Sequence, residues 1–496
     1  MKRARFMLLL MPTLSLGGCT VGPDFVRPTA PTDTGYTPEP LAPQTAAVKI
    51  RGGDAQHFLA GRDIPGDWWT LFRSRPLNQL IDQSLKANPD LDAAQAALRQ
   101  AQENVYAEQG ALFPQASASL QASKQRFSGA SFGQPNNHAT FGLVTPTLNI
   151  SYALDVFGGT RRQIESLTAQ AEYQRFQLEA TYLTLTSNVV VAAVQEASLR
   201  GQIAATQDII RDQAQSLKLV RDRFKLGGAS QAEVLTQEAQ LAQTRATLPP
   251  LQKQLAQTRN QLTALAGQLP AHELAHVFAL DSMHLPPDLP VSLPSQLVEQ
   301  RPDVRAAEAQ LHAASAQIGV ATANQLPQFS ITGSLGTSSN NFTNMFAPGT
   351  GVWSIAGGIT QTLFDAGTLL HRKRAAVAAF EETAAQYRST VVKACQNVAD
   401  ALRALQSDAD AMLAAAAAER SAFASLDLAR RQYQLGAIDY LTLLNAQRTW
   451  QQARISLVQA EATRYADTAA LFQSLGGGWW HRRDVAPQIA DNAKQS

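Results

Sequence analysis

Cysteine is nearly absent. The 496-residue chain has two, Cys19 and Cys395, at opposite ends of the sequence, so a disulfide framework is excluded. Methionine and histidine are sparse, six and eight residues, and a dedicated soft-metal relay has no ligands to draw on. Charged residues make up only 17% and the net charge is +2, so nothing pulls the chain toward nucleic acid. Past residue 18 no apolar run reaches the ~18–20 residues of a transmembrane helix. If the chain crosses a bilayer, it must do so as a β-barrel. No P-loop, dinucleotide fingerprint or nucleophile elbow is present. What fills the sequence instead is Ala, Gln, Ser and Thr, small and polar side chains that suit close helix packing beside water.

The N-terminus carries an address. Met1-Lys2-Arg3-Ala4-Arg5 is a basic n-region, and Phe6–Leu16 is a short apolar h-region. Together they read as a signal peptide over 1–18. Leu16-Gly17-Gly18-Cys19 resembles the lipobox of bacterial lipoproteins. The resemblance implies that Cys19 carries S-diacylglycerol and an N-acyl (palmitoyl) chain, enough acyl groups for a stable anchor. Thr20, where Asp would favour the inner membrane, implies the outer membrane. Cys395 lies in a helical pattern and reads as a buried thiol.

Residues 19–77 read as an extended lead-in with an equatorial segment, and Asp67-Trp68-Trp69-Thr70-Leu71-Phe72 opens the ordered part. A helix is expected over 78–112, with Asn88-Pro89-Asp90 as a possible break. The period then changes to alternation over Pro114–Gln125 and Thr140–Val156, a hairpin of strands. From Thr160 to Leu226 there is no Pro and a single Gly, Gly201. About 67 residues of helix span roughly 100 Å. Ile164, Ala171, Leu178, Leu185, Ala192 and Leu199 suggest a heptad seam. Leu226-Gly227-Gly228 turns the chain. Ser230 and Glu233 form a capping box for a return helix, which Pro249-Pro250 is expected to break or kink.

After a Pro-rich linker, 270–293, the pattern returns. Arg301-Pro302-Asp303-Val304 answers Asn88-Pro89-Asp90-Leu91, and Leu326-Pro327 answers Phe113-Pro114. Pro327–Ser338 and Val352–Phe364 form a second strand pair. A second long helix runs from Thr368 to Leu435-Gly436-Ala437, and its return helix runs over Asp439–Leu475. The chain is therefore a tandem duplication, 78–269 and 294–478, with a tail at 479–496.

Four strands leave two open edges, which lipid does not tolerate. A single-chain barrel needs about eight strands. The barrel must be shared, and three copies supply twelve strands around a wet lumen. The expected fold is mainly α with a β-barrel portion: four strands per protomer in a twelve-stranded trimeric barrel, continuing into a long α-helical barrel.

Several stretches carry a family resemblance: Cys19-Thr20-Val21-Gly22-Pro23-Asp24-Phe25, Trp68-Trp69 and Arg301-Pro302-Asp303-Val304. Tyr440-Leu441-Thr442-Leu443-Leu444 with Ala446-Gln447-Arg448, and Leu475-Gly476-Gly477-Gly478-Trp479, complete the set. With them the chain resembles the TolC-like outer-membrane factor lipoproteins of the NodT subgroup. The resemblance implies a homotrimeric exit duct in the outer membrane of a Gram-negative bacterium, with a large periplasmic extension. It implies docking to a periplasmic membrane-fusion adaptor and an inner-membrane transporter of RND or MFS type, with drugs or other small molecules as cargo. The alternative is the channel of a type I protein or peptide secretion system. No catalytic residue, cofactor, metal or nucleic-acid partner is implied.

It also implies site residues. The tips Leu226, Gly227, Gly228, Leu435, Gly436 and Ala437 are adaptor-docking candidates, or plain Gly-terminated turns. Asp439, Tyr440, Leu441, Asn445 and Arg448 are candidates for the periplasmic gate. For Asp439 the plainer reading is an N-cap, for Leu441 packing between hairpins, for Arg448 an exposed charge. Arg448 is expected to share a face with Leu441 and Leu444. The family often has Asp where this chain has Asn445, which puts the usual acidic latch in doubt. His272-Glu273-Leu274-Ala275-His276 matches HExxH, with His284 as a conceivable third ligand. Its Pro-bounded linker lacks the helix and cleft that zinc hydrolysis needs.

Overall fold

The computed structural model describes residues 20–482 except 129, 131, 132, 134, 135 and 273. Cys19, the signal segment and the tail from 483 lie outside them. The chain divides into two compact units. One holds the segment up to Arg27 with Arg99–Tyr173 and Glu308–Gln386; the other holds Pro28–Leu98, Gln174–Ala307 and the chain from Tyr387.

The first unit is built on four strands, β2 (Gln115–Ser128), β3 (His138–Leu154), β5 (Gln328–Thr337) and β6 (Gly351–Thr360). They form one antiparallel sheet in the order β2-β3-β5-β6. The two hairpins expected from the sequence are thus joined through β3 and β5, with Leu154 opposite Phe329 and Leu148 opposite Leu335. Alternation sorts the faces. One face stacks Leu120, Leu148, Leu335 and Trp353, then Ile150 and Ile355, then Phe329 and Ile359. The other carries Ser119 against Thr147 and Ser334 against Ser354, each pair 2.8 Å apart and hydrogen-bonded. The apolar face is open: Trp353 is 76% exposed and Ile355 73%. Among the described residues β2 and β6 each have a neighbour on one side only.

Each repeat passes from sheet to helix by the same device. Asp155 accepts the N–H groups of Thr160 and Arg161, at 2.9 and 3.0 Å, where α3 (Gly159–Lys225) begins. Asp365 accepts those of Gly367 and Leu369, at 2.9 and 2.7 Å, where α7 (Thr368–Gln434) begins. A carboxylate on the orphan N–H groups of a helix start suits both the capping need and the helix dipole.

Both long helices have 67 residues. Half of the expected seam is buried: Leu185, Ala192 and Leu199 are, whereas Ile164, Ala171 and Leu178 are only half-buried. At the start of the helix Arg162, Ala169 and Phe176 are buried instead, and their seven-residue spacing continues through Leu183, Val190 and Ala197 beside the expected seam. An apolar count cannot see that Arg162 is held inside by hydrogen bonds.

The second unit contains α1 (Arg75–Ala87), the start of α2 (Pro89–Gln109), and α5 (Pro294–Gln300) with the start of α6 (Pro302–Ala323). It also holds the return helices α4 (Gln231–Leu265) and α8 (Tyr440–Ser474). The expected 78–112 helix is two helices: Asn88 is extended, and Pro76 sits inside the first turn of α1 rather than before it. Pro249 and Pro250 do not break α4, which runs unbroken through both.

The two return helices end alike. Gly267 closes α4 with φ +72° and lies so near Ala87 that a Cβ would sit 2.0 Å from its carbonyl oxygen; Gly476 closes α8 with φ +93°, 2.6 Å from that of Gln300. Asn88 donates to Leu265 O and Arg301 donates to Ser474 O. The matching Asn88-Pro89 and Arg301-Pro302 therefore fasten the short helices to the end of the return helix in each repeat.

The lead-in and linker are not structureless. β1 (His57–Ala60) pairs in parallel with β4 (Asp288–Val291). Trp68 stacks on Phe472 at 5.3 Å. Trp479 packs on Phe176 and donates to Gln300 O at 2.7 Å. The lead-in is clamped by Arg464, whose side chain is fully buried and donates to Gly52 O, Asp54 O, Thr45 Oγ1 and Gln56 Oε1. None of these acceptors is a carboxylate. Burial and the neighbouring Asp467 carboxyl push Asp408, beside this guanidinium, up to about 7. Native Asp408 thus binds a proton between the unfolded value of about 3.9 and about 7. Its contribution is full below that range and is lost as pH rises through it. Melting curves of Asp408→Asn between pH 4 and 8 are expected to fall less steeply with rising pH than those of the wild type. Equal slopes would remove Asp408 from the account.

Candidate gate and docking tips

Both tips are terminated by the same hydrogen-bond pattern. Gly228 N–H donates to Arg223 O at 2.8 Å and Gly227 N–H to Phe224 O at 3.0 Å; Ala437 N–H donates to Gln432 O at 2.8 Å and Gly436 N–H to Tyr433 O at 3.1 Å. This six-to-one and five-to-two pairing is a Schellman turn. It needs a left-handed residue, and Gly227 (φ +78°) and Gly436 (φ +72°) supply it. The residues before them point into solvent, Leu226 at 87% and Leu435 at 84% exposure. A leucine left bare at each of two equivalent tips is apolar area without a partner among the described residues.

The return helices restart by different caps. Ser230 Oγ accepts from Glu233 N–H while the Glu233 carboxylate accepts from Ser230 N–H, a complete capping box. Asp439 accepts from Thr442 N–H at 2.8 Å. The Thr442 side-chain and backbone hydrogen bonds hold the exposed Asp439 carboxyl below its ordinary value. Asp439 is thus an N-cap.

The remaining gate candidates divide by helix face. Tyr440, Leu443, Leu444 and Gln447 are buried, while Leu441, Asn445 and Arg448 are exposed. Leu441 therefore shares its face with Asn445 and Arg448, not with Leu444. The sequence spacing was satisfied by i, i+3 and i, i+4 neighbours on either side, and packing against α7 selects between them. Leu444 joins Ile209, Leu426, Tyr433 and Trp450 in one apolar cluster that binds the two hairpins together. Tyr440 meets Tyr433 edge-on at 5.7 Å, and its buried hydroxyl has no hydrogen-bond partner among the described residues. Burial raises the Tyr440 hydroxyl pKa. Arg448 Nε donates to Gln240 Oε1 of the first hairpin at 2.6 Å. The expected exposed charge is also a tie between repeats.

Sequence reading missed the charges that join the hairpins. Arg454 on α8 pairs with Asp208 on α3 at 2.7 Å, and Arg430 on α7 pairs with Asp212 at 3.1 Å. Arg223 lies over the Tyr433 ring, 4.8 Å from its centre. The first hairpin supplies the acids and the second the bases. No motif marks them, because the partners are not equivalent positions of the two repeats. Only the packing of α3 against α7 and α8 brings them together.

His272, His276 and His284 join no group of three or more His, Cys, Asp or Glu able to hold a metal among the described residues; Glu273 lies outside them. His272 N–H closes a turn on Leu269 O.

A half-apolar open sheet joined to long duplicated helical hairpins defines the class, an outer-membrane channel subunit. The family whose model matches residues 80–268 and 293–477 is described as outer membrane efflux protein, and the chain belongs to it. It is similar to the pyoverdine export outer membrane protein OpmQ of Pseudomonas putida, 30% identical over 481 residues, 96% of this chain and 98% of the relative. It is similar to the cation efflux system protein CusC of Escherichia coli O6:H1, 28% identical over 476 residues, 94% and 97% of the two chains. The solved outer-membrane channel OprN superposes with a TM-score of 0.83 at 29% identity, covering 93% of this chain and all of that one. The fold is that of the TolC-like efflux channels, and the chain is the outer-membrane component of an efflux pump.

Exposed ion pairs are worth about 0.2–1 kcal/mol each, up to roughly fivefold in an equilibrium. Asp208→Asn with Asp212→Asn is expected to speed amide exchange around residues 205–240 and 425–455, by about fivefold or less per pair. Exchange as slow as in the wild type would show that the apolar cluster alone holds the hairpins.

Proposed function

We propose that three copies of this chain close a twelve-stranded barrel in the outer membrane and form a passive exit duct for drugs or other small molecules. The observation that carries this is the sheet. It offers lipid an apolar face, water a Ser/Thr-rich face, and neighbouring copies two unpaired edges. Strands of 10 to 17 residues meet the ~9–11 a tilted spanning strand requires. Residues 78–269 and 294–478 are the two repeats of each subunit. The relatives are named for pyoverdine, toluene and cation export, which favours small molecules over secreted proteins as cargo. With no nucleotide-binding motif and no catalytic constellation, energy comes from an inner-membrane transporter of RND or MFS type, reached through a periplasmic adaptor. The chain is not an enzyme and takes no cofactor. Its anchor is the diacylglyceryl and palmitoyl lipid on Cys19, inserted in outer-membrane lipid on the periplasmic side of a Gram-negative cell.

The exposed tips Leu226-Gly227-Gly228 and Leu435-Gly436-Ala437 are the adaptor-docking points. Leu441, Asn445 and Arg448 face the aperture, with Asp439 and Tyr440 setting the turn behind them. The partnerless Tyr440 hydroxyl supports a role that a neighbouring copy completes. Asn445 is uncharged, so the ties Asp208–Arg454 and Asp212–Arg430 carry the closed state in place of an acidic ring.

Deleting the gene is expected to sensitise cells to a panel of toxic small molecules, with complementation restoring resistance. In planar bilayers the purified protein conducts, and Asn445→Asp shifts its open probability. Unchanged sensitivity across the panel in a strain without a redundant channel would sink the efflux reading. Unchanged gating in Asn445→Asp would remove that position from the aperture.

A further inference from the structure

Beside Gly201, the glycine in the middle of α3, that helix and α8 come close: a Cβ on Gly201 would lie 2.9 Å from Val458 Cγ1. Next to this contact α3, α4 and α8 enclose a cavity of about 470 Å³, within the ~300–1,000 Å³ of small-molecule sites. No charged side chain lines it. Gln202 and Ser198 form its floor, 7% and 3% exposed. Gln202 Nε2 donates to Ser198 Oγ, and Gln202 Oε1 accepts from Gln459 Nε2, both at 3.1 Å. The amides of Gln195, Gln254 and Gln459 are exposed at its mouth, and Val194 and Leu199 give it buried apolar wall. Each amide offers two N–H donors and an oxygen with two lone pairs, so the lining has hydrogen bonds to spare.

Duplication does not account for this lining. Aligned on Gly227 and Gly436, the second repeat has Ala404 and Ala411 where the first has Gln195 and Gln202, and Asp400 and Asp408 where the first has Val191 and Leu199. The uncharged amide set belongs to the first repeat alone, so packing of the repeated helices does not require it.

The cavity opens away from the lead-in and the linker. On α8, Arg464, Tyr465 and Thr468 bond to Gly52 O, Met283 O and Gln56. At about 100° per residue, Gln459 and Ala466 stand roughly opposite that face. On α3, Glu196 pairs with Arg259, which donates to Leu274 O and His276 O of the linker. Ser198 and Gln202 lie about 120–160° round the helix from Glu196. Two helices therefore agree: the non-repeating segments are on one side and the cavity is on the other.

We propose that this cavity is a way-station on the lumen wall, a weak site for uncharged cargo that joins an apolar part to amide or hydroxyl groups. The proposal rests on the exit-duct reading. Three lead-ins and three linkers inside a shared tube would fill it, so they lie outside and the opposite faces of α3 and α8 line the lumen. A charged solute would trade water for dipoles without a counter-charge, whereas a neutral hydroxyl or amide recovers its desolvation by hydrogen bonding. Occupancy is weak by necessity, because conduction requires that what enters a site also leaves it.

The test uses the purified full-length protein with chloramphenicol as probe, chosen for its aromatic ring, amide and two hydroxyls without charge. Its succinate ester adds a carboxylate to the same skeleton. Saturation-transfer NMR titrations give the two affinities, and planar-bilayer recording gives conductance. The site predicts that chloramphenicol binds about tenfold more tightly than the ester. Gln195→Met with Gln254→Met, both at the exposed mouth, is expected to weaken chloramphenicol about fivefold or more with the melting temperature unchanged. Gln195→Lys is expected to shift the preference toward the ester. Equal affinity for the two probes, or a double variant that binds as the wild type does, means unspecific partitioning and overturns the site. A protein that does not conduct refutes the duct, and the way-station with it. A conducting protein that binds no chloramphenicol refutes the way-station alone.

Discussion

An unpaired backbone group in hydrocarbon has nowhere to go. Each costs several kcal/mol, and this chain has two strands, β2 and β6, with one neighbour each. Most other features of the protein are consequences of settling that account. A sheet of four strands cannot close on itself at a usable radius, so closure is a task for several copies. Copies set side by side around an axis must also align their helices, and α3 and α7, which follow β3 and β6, have 67 residues each. Duplication delivers that equality without tuning. The same Asp carboxylate starts each helix, the same Schellman turn ends it, and the same glycine seats each return helix against the joint of the short ones.

Duplication alone would give two equivalent hairpins, and equivalent hairpins have no reason to prefer one arrangement at the tip. The charges break the equivalence. Asp208 and Asp212 sit on the first hairpin; Arg430 and Arg454 sit on the second. Each pair is weak by itself because it is partly exposed and screened by salt. The apolar cluster around Leu444, Tyr433 and Trp450 supplies most of the adhesion, since burial of such side chains is worth about 1.5–3 kcal/mol each. Adhesion of that kind is tolerant of sliding, whereas an ion pair is not. The division of labour is that the cluster holds the hairpins together and the ion pairs fix their register.

The sequence showed the fold in outline because its repeats are long and its punctuation strong. Gly227, Gly436, Gly267 and Gly476 are turns that only a left-handed residue completes, and the Ser230–Glu233 box is readable at three-residue spacing. The heptad seam of α3 was legible at Leu185, Ala192 and Leu199 but not at the helix start, since a buried Arg162 counts as polar in any apolar tally. The joint at Asn88 was visible, yet its purpose, a bond to Leu265 O, is tertiary. The lead-in looked unstructured because its attachment is to one buried arginine, Arg464, and to a parallel pairing with β4 across more than two hundred residues. Among the gate candidates, residue identity was legible and face was not. Leu441 and Leu444 stand at i, i+7 and i, i+4 from Arg448, both spacings that can share a helix face, and only packing decides that Leu444 is core. The interhairpin ion pairs left no trace in the sequence, because neither partner occupies the other's equivalent position.

Buried arginines recur where a non-repeating segment must be fixed to the repeated scaffold. Arg464 reads four backbone and side-chain oxygens of the lead-in, and Arg162 donates to the carbonyls of Val21 and Gly22 and to Asp24. A lysine's single nitrogen could not span the acceptors that each of these arginines engages, whereas the planar fork of a guanidinium reaches several at once. The reason lies in what duplication leaves undone. Helix against helix is specified by small residues and heptads, which are generic and repeat. A lead-in or N-terminal strap has no repeat to match, so its position must be named residue by residue. Hydrogen bonds from a buried cation to carbonyl oxygens do this with high specificity, because each donor left unmatched would cost more than the bond contributes. The arginines thus locate the unique parts of the chain, and the glycines at Gly22, Gly319 and Gly158 clear the space in which they do so.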